Sequence, residues 1–311
     1  MPRILITGVT GFVGFNLVNF FASLKGYSVI GHSRDIKKAR ERFSSYQLEV
    51  IDDFTASSLN GLNIDYVIHL AGIAHDLSNK FRPEDYYKVN FEGTKLVYDE
   101  FLKSNASKFI FVSSIKAAVD VTREPVNEEV IPNPVTDYGK SKLKAEQYIQ
   151  SQTIAPGKRS YILRPGMIHG PGNKGNLNLL YRFVKSGIPF PFGVFDNQRS
   201  FLSIDNFIFV VHQLLDREIP SGIYHLADDG FLSTRELYKV IAATLSVRPR
   251  VLNISKSWIY FLANSLGKQH LVNKLTEDMM VSNKKIVDEL GVSLPVALSE
   301  GIRKTILSFN K

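Results

Sequence analysis

Tyr138 and Lys142 lie four residues apart in the stretch VTDYGKSKLKAE, and together they could exchange a proton with a substrate. In a helix, residues i and i+4 share one face, so the ammonium would stand beside the phenol. A phenol has an ordinary pKa near 10, and a neighbouring positive charge lowers that pKa. Such a tyrosine can act as a general acid or base near neutral pH. Tyr181 and Lys185 repeat the spacing, so spacing alone leaves two interpretations: a catalytic pair, or neighbours on a helix surface.

Glycines at positions 8, 11 and 14 in TGVTGFVG could bind a dinucleotide. Gly8 permits a tight turn, Gly11 lets the backbone approach a pyrophosphate, and Gly14 allows a helix to pack close to a strand. A helix that begins here also directs free N–H groups, at Phe12 and Val13, toward a phosphate. An ordinary glycine-rich turn is the alternative. The turn lies between an apolar run and a helical pattern, however, as the dinucleotide motif requires.

The end of the second apolar run predicts which nicotinamide cofactor is bound. An acid there accepts from the ribose hydroxyl of NAD, whereas an arginine accommodates the additional phosphate of NADP. In VIGHSRD, Ser33 is at the tip and Arg34 follows, and a guanidinium suits a phosphate, so we predict NADP. NAD stays possible if a shifted turn brings Asp35 to the ribose, and Arg34 could instead only open the next helix. Asp53 could accept from the adenine amino group or serve as a turn residue.

The elements that position these residues alternate along the first half of the chain. Apolar runs typical of buried strands are separated by helical patterns, and the runs are RILITG, YSVIGHS, QLEVID, DYVIHLAG, KFIFVSS and RSYILRPG. This alternation indicates a parallel sheet that is covered by helices on both faces. We therefore predict an α/β fold, a doubly wound parallel sheet of the Rossmann type with a smaller mixed C-terminal domain that binds substrate.

The second half loses this alternation at Gly166, where glycine, proline and asparagine become frequent and predict loops. We predict a nucleotide-binding domain over residues 1–165, with a return segment near 199–225, and a smaller substrate-binding domain over 166–311. The fourth apolar run ends in residues that permit close approach to a cofactor, and these are Leu70, Ala71 and Gly72.

Composition excludes several classes of function. The 311 residues include no cysteine, which excludes disulfides, thiolate metal sites and a cysteine nucleophile and suits a cytoplasmic protein. We expect no metal site, since His75, His169 and His225 lack metal-ligand spacing. The net charge is +8, yet Lys and Arg are scattered, so we expect no nucleic-acid partner. We expect no signal peptide, because the apolar run in MPRILITGVTGFVG is short and breaks into glycines. We expect no membrane span, because the apolar stretch SWIYFLANSLG (257–267) is shorter than the roughly 18 residues that a span requires. That stretch is interpreted as core or as a surface helix.

Seven short stretches together resemble one family. TGVTGFVG, HLAG, VNFEGT, FVSS, YGKSK, ILRPGMIHGPG and NQRSFLSIDN run from residue 7 to about residue 206 in the order found in extended short-chain dehydrogenases/reductases. The chain resembles the NAD-dependent epimerase/dehydratase type of this family. It is most similar to the nucleotide-sugar 4-epimerases and UDP-4-keto-sugar 4-reductases of bacterial polysaccharide biosynthesis. The stretches are specific as a set, although none is specific alone.

The resemblance assigns catalytic roles to Ser114, Tyr138 and Lys142. Tyr138 lies at the start of a helix after the fifth strand, where the family has its catalytic tyrosine, and the resemblance implies that Lys142 also bonds the nicotinamide ribose. Ser114 would hold the substrate oxygen. Ser113 is the alternative if the register differs by one, and either serine could cap a helix.

The resemblance also implies contacts with the substrate. Asn176 and Asn178 lie in the loop that contacts the nucleotide diphosphate in relatives. Arg199 matches an arginine that relatives use on the diphosphate; alternatively, it is a surface residue on a strand edge. Lys274 could be a second phosphate-binding residue. Lys116 stands where many epimerases have a hydroxylic residue, and it could bind a polar sugar substituent, stabilise an oxyanion or point to solvent.

Further residues receive roles from their position relative to the family pattern. ILRPG resembles the segment that lies along the nicotinamide, where Arg164 and Pro165 would shape the pocket. His169 replaces a family tyrosine and is interpreted as structural. Tyr181 and Lys185 lie beyond the sixth strand and are interpreted as an unrelated pair on a helix surface.

We therefore predict an NADP-dependent reductase of a UDP-4-keto-6-deoxy-hexosamine, with Tyr138 as the proton donor. A UDP-sugar 4-epimerase with tightly bound NAD would use the same residues and is the first alternative. A catalytically idle NADP-sensing protein is the second, but the complete set of Ser114, Tyr138 and Lys142 argues against it. We expect a homodimer, because relatives often dimerise through helices beside the tyrosine.

Overall fold

The computed structural model describes residues 1–45, 48–73, 81–173 and 175–309, and two parallel sheets organise them. The strands, in chain order, are β1 (Arg3–Thr7), β2 (Ser28–His32), β3 (Glu49–Ile51), β4 (Tyr66–His69), β5 (Lys108–Val112), β6 (Arg159–Pro165), β7 (Met167–His169), β8 (Phe201–Ser203) and β9 (Gly222–Leu226). The main sheet has the order β3-β2-β1-β4-β5-β6-β9, with every neighbouring pair parallel. Strands β7 and β8 form a small second sheet.

Helices separate most strands of the first half and cluster in the second. In chain order they are α1 (Phe12–Ser23), α2 (Ile36–Arg42), α3 (Ala56–Gly61), α4 (Pro83–Tyr86), α5 (Gly93–Lys103), α6 (Asp137–Ser151), α7 (Asn176–Lys185), α8 (Ile204–Asp216), α9 (Thr234–Thr244), α10 (Lys256–Ser265), α11 (Gln269–Thr276), α12 (Lys284–Leu290) and α13 (Leu298–Ser308). A π-helical segment (Tyr87–Glu92) joins α4 to α5, and a 3-10 turn (Ile115–Ala117) follows β5. In the described parts of the chain, no helix combines the length and apolar character that crossing a bilayer requires.

The main sheet is doubly wound, as the sequence predicts. From β1 the chain moves outward through β2 and β3, then continues on the other side of β1 with β4 and β5. Because the strand order reverses between β1 and β4, the carboxyl ends of these strands open a crevice in which ligands bind in such sheets. Separate apolar clusters cover the two faces: α1 and α8 contribute Phe21 and Phe207 to one, and α5 and α6 contribute Phe101 and Ile149 to the other.

The chain after β6 both returns to the main sheet and builds a further layer. Helix α8 and strand β9 return to the main sheet, near the segment predicted to do so. Helices α7, α9 and α13 share a third apolar cluster that includes Tyr238 and Ile302, and α10 and α11 share a smaller one that includes Ile259 and Val272. The domain boundary at residue 165 stays a prediction.

Candidate active site

The turn between β1 and α1 requires glycine at two positions. Gly8 has φ of 69°, in the left-handed region, and a Cβ added to it would lie 2.9 Å from the amide nitrogen of Ala71. A Cβ added to Gly14 would lie 2.4 Å from the carbonyl oxygen of Gly8. Side chains at these positions would therefore force apart β1, α1 and the segment after β4. The missing Cβ atoms leave a backbone cradle of the kind that a pyrophosphate approaches.

The N-terminus of α1 supplies donors to this cradle. Gly11 is the N-cap and its own amide donates to Gly8 (3.0 Å). Because glycine has no side chain, the N-cap does not occupy the amides of the first turn, among them Phe12 and Val13. Those amides and the helix dipole favour an anion, so the turn fits the pyrophosphate of a dinucleotide.

Thr7 fixes the segment after β4 beside this turn, a role that the sequence analysis did not foresee. Its hydroxyl accepts from the amides of Leu70 and Ala71, at 3.1 Å each, and lies 2.8 Å from Nδ1 of His69. His69 is fully buried, and burial lowers its pKa to about 3, so the ring is neutral. Hydrogen bonds between uncharged groups therefore hold residues 70–71 beside the glycine turn.

At the end of β2, the acid and the arginine adopt different roles. Asp35 is the N-cap of α2, and its Oδ1 accepts from the amide of Lys38 (3.0 Å). Ser33 donates to the carbonyl of Asp35 (3.1 Å), whereas Arg34 is exposed. The Asp35 carboxylate is therefore used in capping, while the guanidinium is accessible to a phosphate. Asp53 accepts from the hydroxyl of Thr55 (3.0 Å), which fits its interpretation as a turn residue without excluding the adenine contact.

The side chains of Ser114 and Tyr138 are joined by a hydrogen bond at the carboxyl end of β5. Ser114 is also the N-cap of the 3-10 turn and accepts from the amide of Lys116 (3.2 Å). The alternative, Ser113, is buried and donates to Glu146 in the core. Adjacent residues of an extended segment point to opposite sides, which separates the two serines.

Lys142 lies one turn after Tyr138 and is buried, as few lysines are. Its ammonium donates to the carbonyl of Val112 (3.0 Å) and stands 4.8 Å from the ring centroid of Phe111. Burial lowers the pKa of Lys142 to about 8, an effect that the nearby carboxylate of Glu146 partly opposes. A Cβ added to Gly72 would lie 3.3 Å from this ammonium, so Gly72 keeps its approach open.

The pKa of Tyr138 is raised, which corrects the expectation that its lysine neighbour lowers it. Burial is the largest cause because it disfavours the phenolate. The hydrogen bond with Ser114 lowers the pKa, but the charge of Glu146 and the phenol of Tyr86 raise it further. The phenol therefore holds its proton throughout the neutral range, as a proton donor must.

Two residues that the sequence analysis did not single out hold α6 in place. Asn90 is fully buried: its amide nitrogen donates to the Ser141 hydroxyl (3.1 Å) and its oxygen accepts from the amide of Ile73 (2.8 Å). Ser141 in turn donates to the carbonyl of Tyr138 (2.8 Å). Asn90 thus ties the segment after β4 to the tyrosine turn, and a polar residue within the helical stretch VNFEGT was the signal for it.

Gly139, the residue after the tyrosine, brings α6 against the 3-10 turn. A Cβ added here would lie 2.3 Å from the carbonyl oxygen of Lys116 and 2.9 Å from Cβ of Pro134. Only glycine permits this approach without a backbone shift. The contact explains how Tyr138 reaches the serine that precedes the same turn.

A buried ion pair lies behind the candidate catalytic residues. Arg164 donates through Nη2 to Oε2 of Glu146 (2.6 Å) and through Nε to both carboxylate oxygens (3.1 Å each), and the two side chains are 1% and 0% exposed. His225 lies 3.5 Å from Nη1 of Arg164, and its pKa is lowered to about 4, mainly by burial. The guanidinium of Arg164 thus faces the core, which corrects its expected place on the nicotinamide pocket, while Pro165 ends β6.

The predicted substrate residues are distributed over the C-terminal part. Arg199 donates to the backbone carbonyls of Lys274 (2.9 Å) and Glu277 (3.1 Å). Lys274 therefore contacts Arg199 through its backbone, and the side chain of Lys274 is exposed. Asn178 lies in the first turn of α7, and the side chain of Asn176 lies outside what the structure describes.

Lys116 and the histidines have mainly structural contacts. The ammonium of Lys116 donates to the carbonyl of Asp120 (2.8 Å) and lies 3.1 Å from its carboxylate, so its substrate contact stays a prediction. His169 is buried and lies 2.9 Å from the hydroxyl of Thr305. His75 lies outside the described residues. Among the described ones, no group of three or more potential ligands could hold a metal ion.

Comparisons with known proteins agree with this geometry. The model of the NAD dependent epimerase/dehydratase family matches residues 4–227. The chain is 33% identical to a UDP-glucose 4-epimerase of Vibrio cholerae, over 99% of this chain and 96% of that protein. It is 26% identical to a GDP-6-deoxy-D-mannose reductase of Pseudomonas aeruginosa, over 77% of this chain and 79% of that one.

A solved structure shows the same fold. The structure of RMD from Pseudomonas aeruginosa complexed with NADPH superimposes with a TM-score of 0.74 and 21% identity, and the match covers 99% of each chain. With the family model covering most of the sequence, these findings lead to one conclusion: the chain belongs to the NAD-dependent epimerase/dehydratase family.

Proposed function

We propose that this protein is an NADPH-dependent reductase that acts at C4 of a UDP-4-keto-6-deoxy-hexosamine. The observation that carries the proposal is the hydrogen bond between Ser114 and Tyr138, with Lys142 one turn away, at the carboxyl end of β5. This end of the sheet also holds the glycine cradle and the crevice between β1 and β4. A phenol, a hydroxyl and an ammonium beside a dinucleotide cradle suit carbonyl reduction.

The protonation states support reduction of a ketone. When bound, NADPH would supply a hydride to the ketone carbon of the sugar. Tyr138 would donate its proton to the ketone oxygen, giving the alcohol, and the raised pKa of its phenol keeps that proton available near neutral pH. Ser114 would donate to the same oxygen, and Lys142 would orient the cofactor's ribose and help to reprotonate the tyrosine.

The preference for NADPH rests on the end of β2. The exposed guanidinium of Arg34 can pair with the additional phosphate, and the acid that could otherwise select NAD is used as a helix cap. The fold relative from Pseudomonas aeruginosa was solved with NADPH, which is compatible with this assignment. Binding of NADPH and NADH to Arg34→Gln tests it, since only NADPH affinity is expected to fall.

The C-terminal part of the chain is suited to bind a substrate that carries a nucleoside diphosphate. Arg199 is held at the junction with α11 by two carbonyls, and its guanidinium retains further donors for a diphosphate. The UDP group is proposed from the Vibrio cholerae relative, whose name specifies a UDP-sugar. We also propose that the protein works as a homodimer in the cytoplasm.

A UDP-sugar 4-epimerase with tightly bound NAD is the second candidate. It would use the same catalytic residues, and the 33% identity to a UDP-glucose 4-epimerase over nearly the whole chain favours it. The two candidates differ in the fate of the cofactor. A reductase consumes NADPH once per product, whereas an epimerase returns the hydride to the sugar and consumes none.

The test mixes purified protein with NADPH and a UDP-4-keto-6-deoxy-hexosamine and follows nicotinamide absorbance. We expect consumption of NADPH that matches alcohol formation. Interconversion of UDP-sugar epimers by the protein as purified, without consumption of NADPH, would make it an epimerase. If neither reaction occurs although NADPH binds, the idle sensor is the better description.

A further inference from the structure

Helix α10 presents an apolar face to solvent. Trp258, Phe261 and Leu262 are 62%, 62% and 49% exposed, and Leu266, just after the helix, is 67% exposed. Their spacing of three, four and eight residues puts them on one face, and the rings of Trp258 and Phe261 are 5.9 Å apart. The opposite face, with Ile259 and Ala263, is buried against α11. The outward side chains are therefore not needed for packing within the chain.

The surroundings of this face are exclusively basic in sequence. Between Glu236 and Glu277 the chain has no acidic residue. The same stretch contains six basic residues, all of them exposed: Lys239, Arg248, Arg250, Lys256, Lys268 and Lys274. Among the described residues, none of these side chains takes part in an ion pair. Lys256 begins α10, Lys268 lies between α10 and α11, and Lys274 lies on α11, so the apolar face has positive charge beside it.

We propose that the outer face of α10 and the basic residues around it dock the protein on an anionic lipid bilayer. Trp, Phe and Leu side chains insert at the boundary of headgroups and acyl chains, and Lys and Arg pair with anionic headgroups. Ten residues of helix span about 15 Å, too short to cross a bilayer, so α10 would lie in the plane of the surface.

The charge pattern distinguishes this partner from a second copy of the chain. In a symmetric dimer built on this face, the same patch would meet itself, and its basic residues would repel each other. A nucleic acid would match the charge but not Leu262 and Leu266, whose aliphatic side chains have no stacking surface. An anionic bilayer satisfies both the charge and the apolar side chains.

Docking leaves the proposed reaction unaffected, because α10 contains none of the candidate catalytic residues. One connection to the site runs through α11: Val272 packs with Ile259 of α10, and Arg199 donates to the carbonyl of Lys274 at the end of α11. Loss of docking and loss of catalysis can therefore be measured separately.

The test is co-sedimentation with two kinds of vesicle, pure phosphatidylcholine and an equimolar mixture of phosphatidylcholine and phosphatidylglycerol. We expect binding to the mixed vesicles, weakened by salt, and little binding to phosphatidylcholine alone. Trp258→Gln with Phe261→Gln is expected to lower the partition coefficient by about tenfold or more. Lys256→Gln with Lys268→Gln is expected to lower it as well.

Matched controls alter exposed residues of the same kinds elsewhere. Lys25→Gln with Lys37→Gln removes the same charge, and Ile131→Gln replaces an apolar side chain that is 87% exposed. Both should bind as the wild type does, and thermal melting of every variant reports folding. The proposal is overturned if the wild type ignores mixed vesicles, or if the α10 variants bind no worse than the controls. A dimer in solution that the α10 variant dissociates, without vesicle binding, would instead identify a subunit interface.

Discussion

Two pairs of tyrosine and lysine with the same spacing lie in very different surroundings. On α7, Lys185 is exposed and donates to the hydroxyl of Tyr181 (3.3 Å), with its ammonium 5.6 Å from the ring centroid. On α6, Lys142 is buried and donates to the carbonyl of Val112, while Tyr138 bonds Ser114. Helical spacing places each pair on one face, but the neighbours decide which chemistry the face can perform.

The two tyrosines also differ in burial, and the burial of Tyr181 differs from the expectation. Tyr181 is not a surface residue: it is 5% exposed and packs edge-on against Phe309 in the third apolar cluster. Tyr138 is half-buried beside the crevice, with its phenol within reach of Ser114. A tyrosine that faces the core contributes packing, whereas one that faces a crevice can meet a substrate.

The largest expected effect separates the two phenols. Tyr138→Phe should lower turnover on the order of a thousandfold with cofactor binding kept, because it removes the proposed proton donor. Tyr181→Phe should leave turnover within a few-fold. Steady-state rates and NADPH titrations of both variants check this. Equal rates for Tyr138→Phe and the wild type would remove the catalytic assignment.

The second effect concerns the lysines and pH. The pKa of Lys142 in the folded protein, about 8, lies below the ordinary value near 10.4, so the unfolded chain binds more protons between these pH values. Keeping the charged ammonium of Lys142 in its buried place destabilises the folded state. This destabilisation is present in full below about pH 8 and disappears as pH rises toward 10.4. It amounts to on the order of 3 kcal/mol.

Lys142→Met should therefore lack the rise in the free energy of unfolding that the wild type shows over this interval. Denaturant unfolding at several pH values measures the difference, and Lys185→Met is the matched control that should keep the wild-type profile. A Lys142→Met profile parallel to that of the wild type would contradict the lowered pKa.

The third effect tests the residues that follow each tyrosine. Gly139→Ala puts a Cβ 2.3 Å from the Lys116 carbonyl and should cost about 1–3 kcal/mol of stability and reduce turnover, because α6 must move away from Ser114. Arg182, at the equivalent position after Tyr181, is exposed, and Arg182→Ala should change stability by no more than about 0.5 kcal/mol. Thermal melting and turnover of both variants give the comparison.

The smallest effect is expected at Lys185. Removing its ammonium in Lys185→Met takes away one long hydrogen bond and a partly exposed cation–π contact, together about 0.5–1 kcal/mol. Turnover should stay unchanged. A large loss of activity would show that this second pair also serves the site.

Much of the fold could be predicted because its signals are local. Continuous apolar runs predicted the parallel strands, and Gly8, Gly11 and Gly14 predicted the turn, since backbone constraints act within a few residues. The contacts that shape the site join distant residues instead. Asn90 meets Ser141 across 51 positions and Glu146 meets Arg164 across 18, and no periodicity announces such pairs.

By itself, the sequence determined the doubly wound sheet and the glycine turn and, through its resemblance to a family, singled out Tyr138 as the candidate catalytic tyrosine. Only the tertiary structure decided that Ser114 faces that tyrosine while Ser113 faces the core, that Lys116 pairs with Asp120, and that the pKa of Tyr138 is raised. The physical reason is that periodicity and backbone geometry are written in adjacent residues. Desolvation and ion pairing depend on which distant side chains the fold brings together.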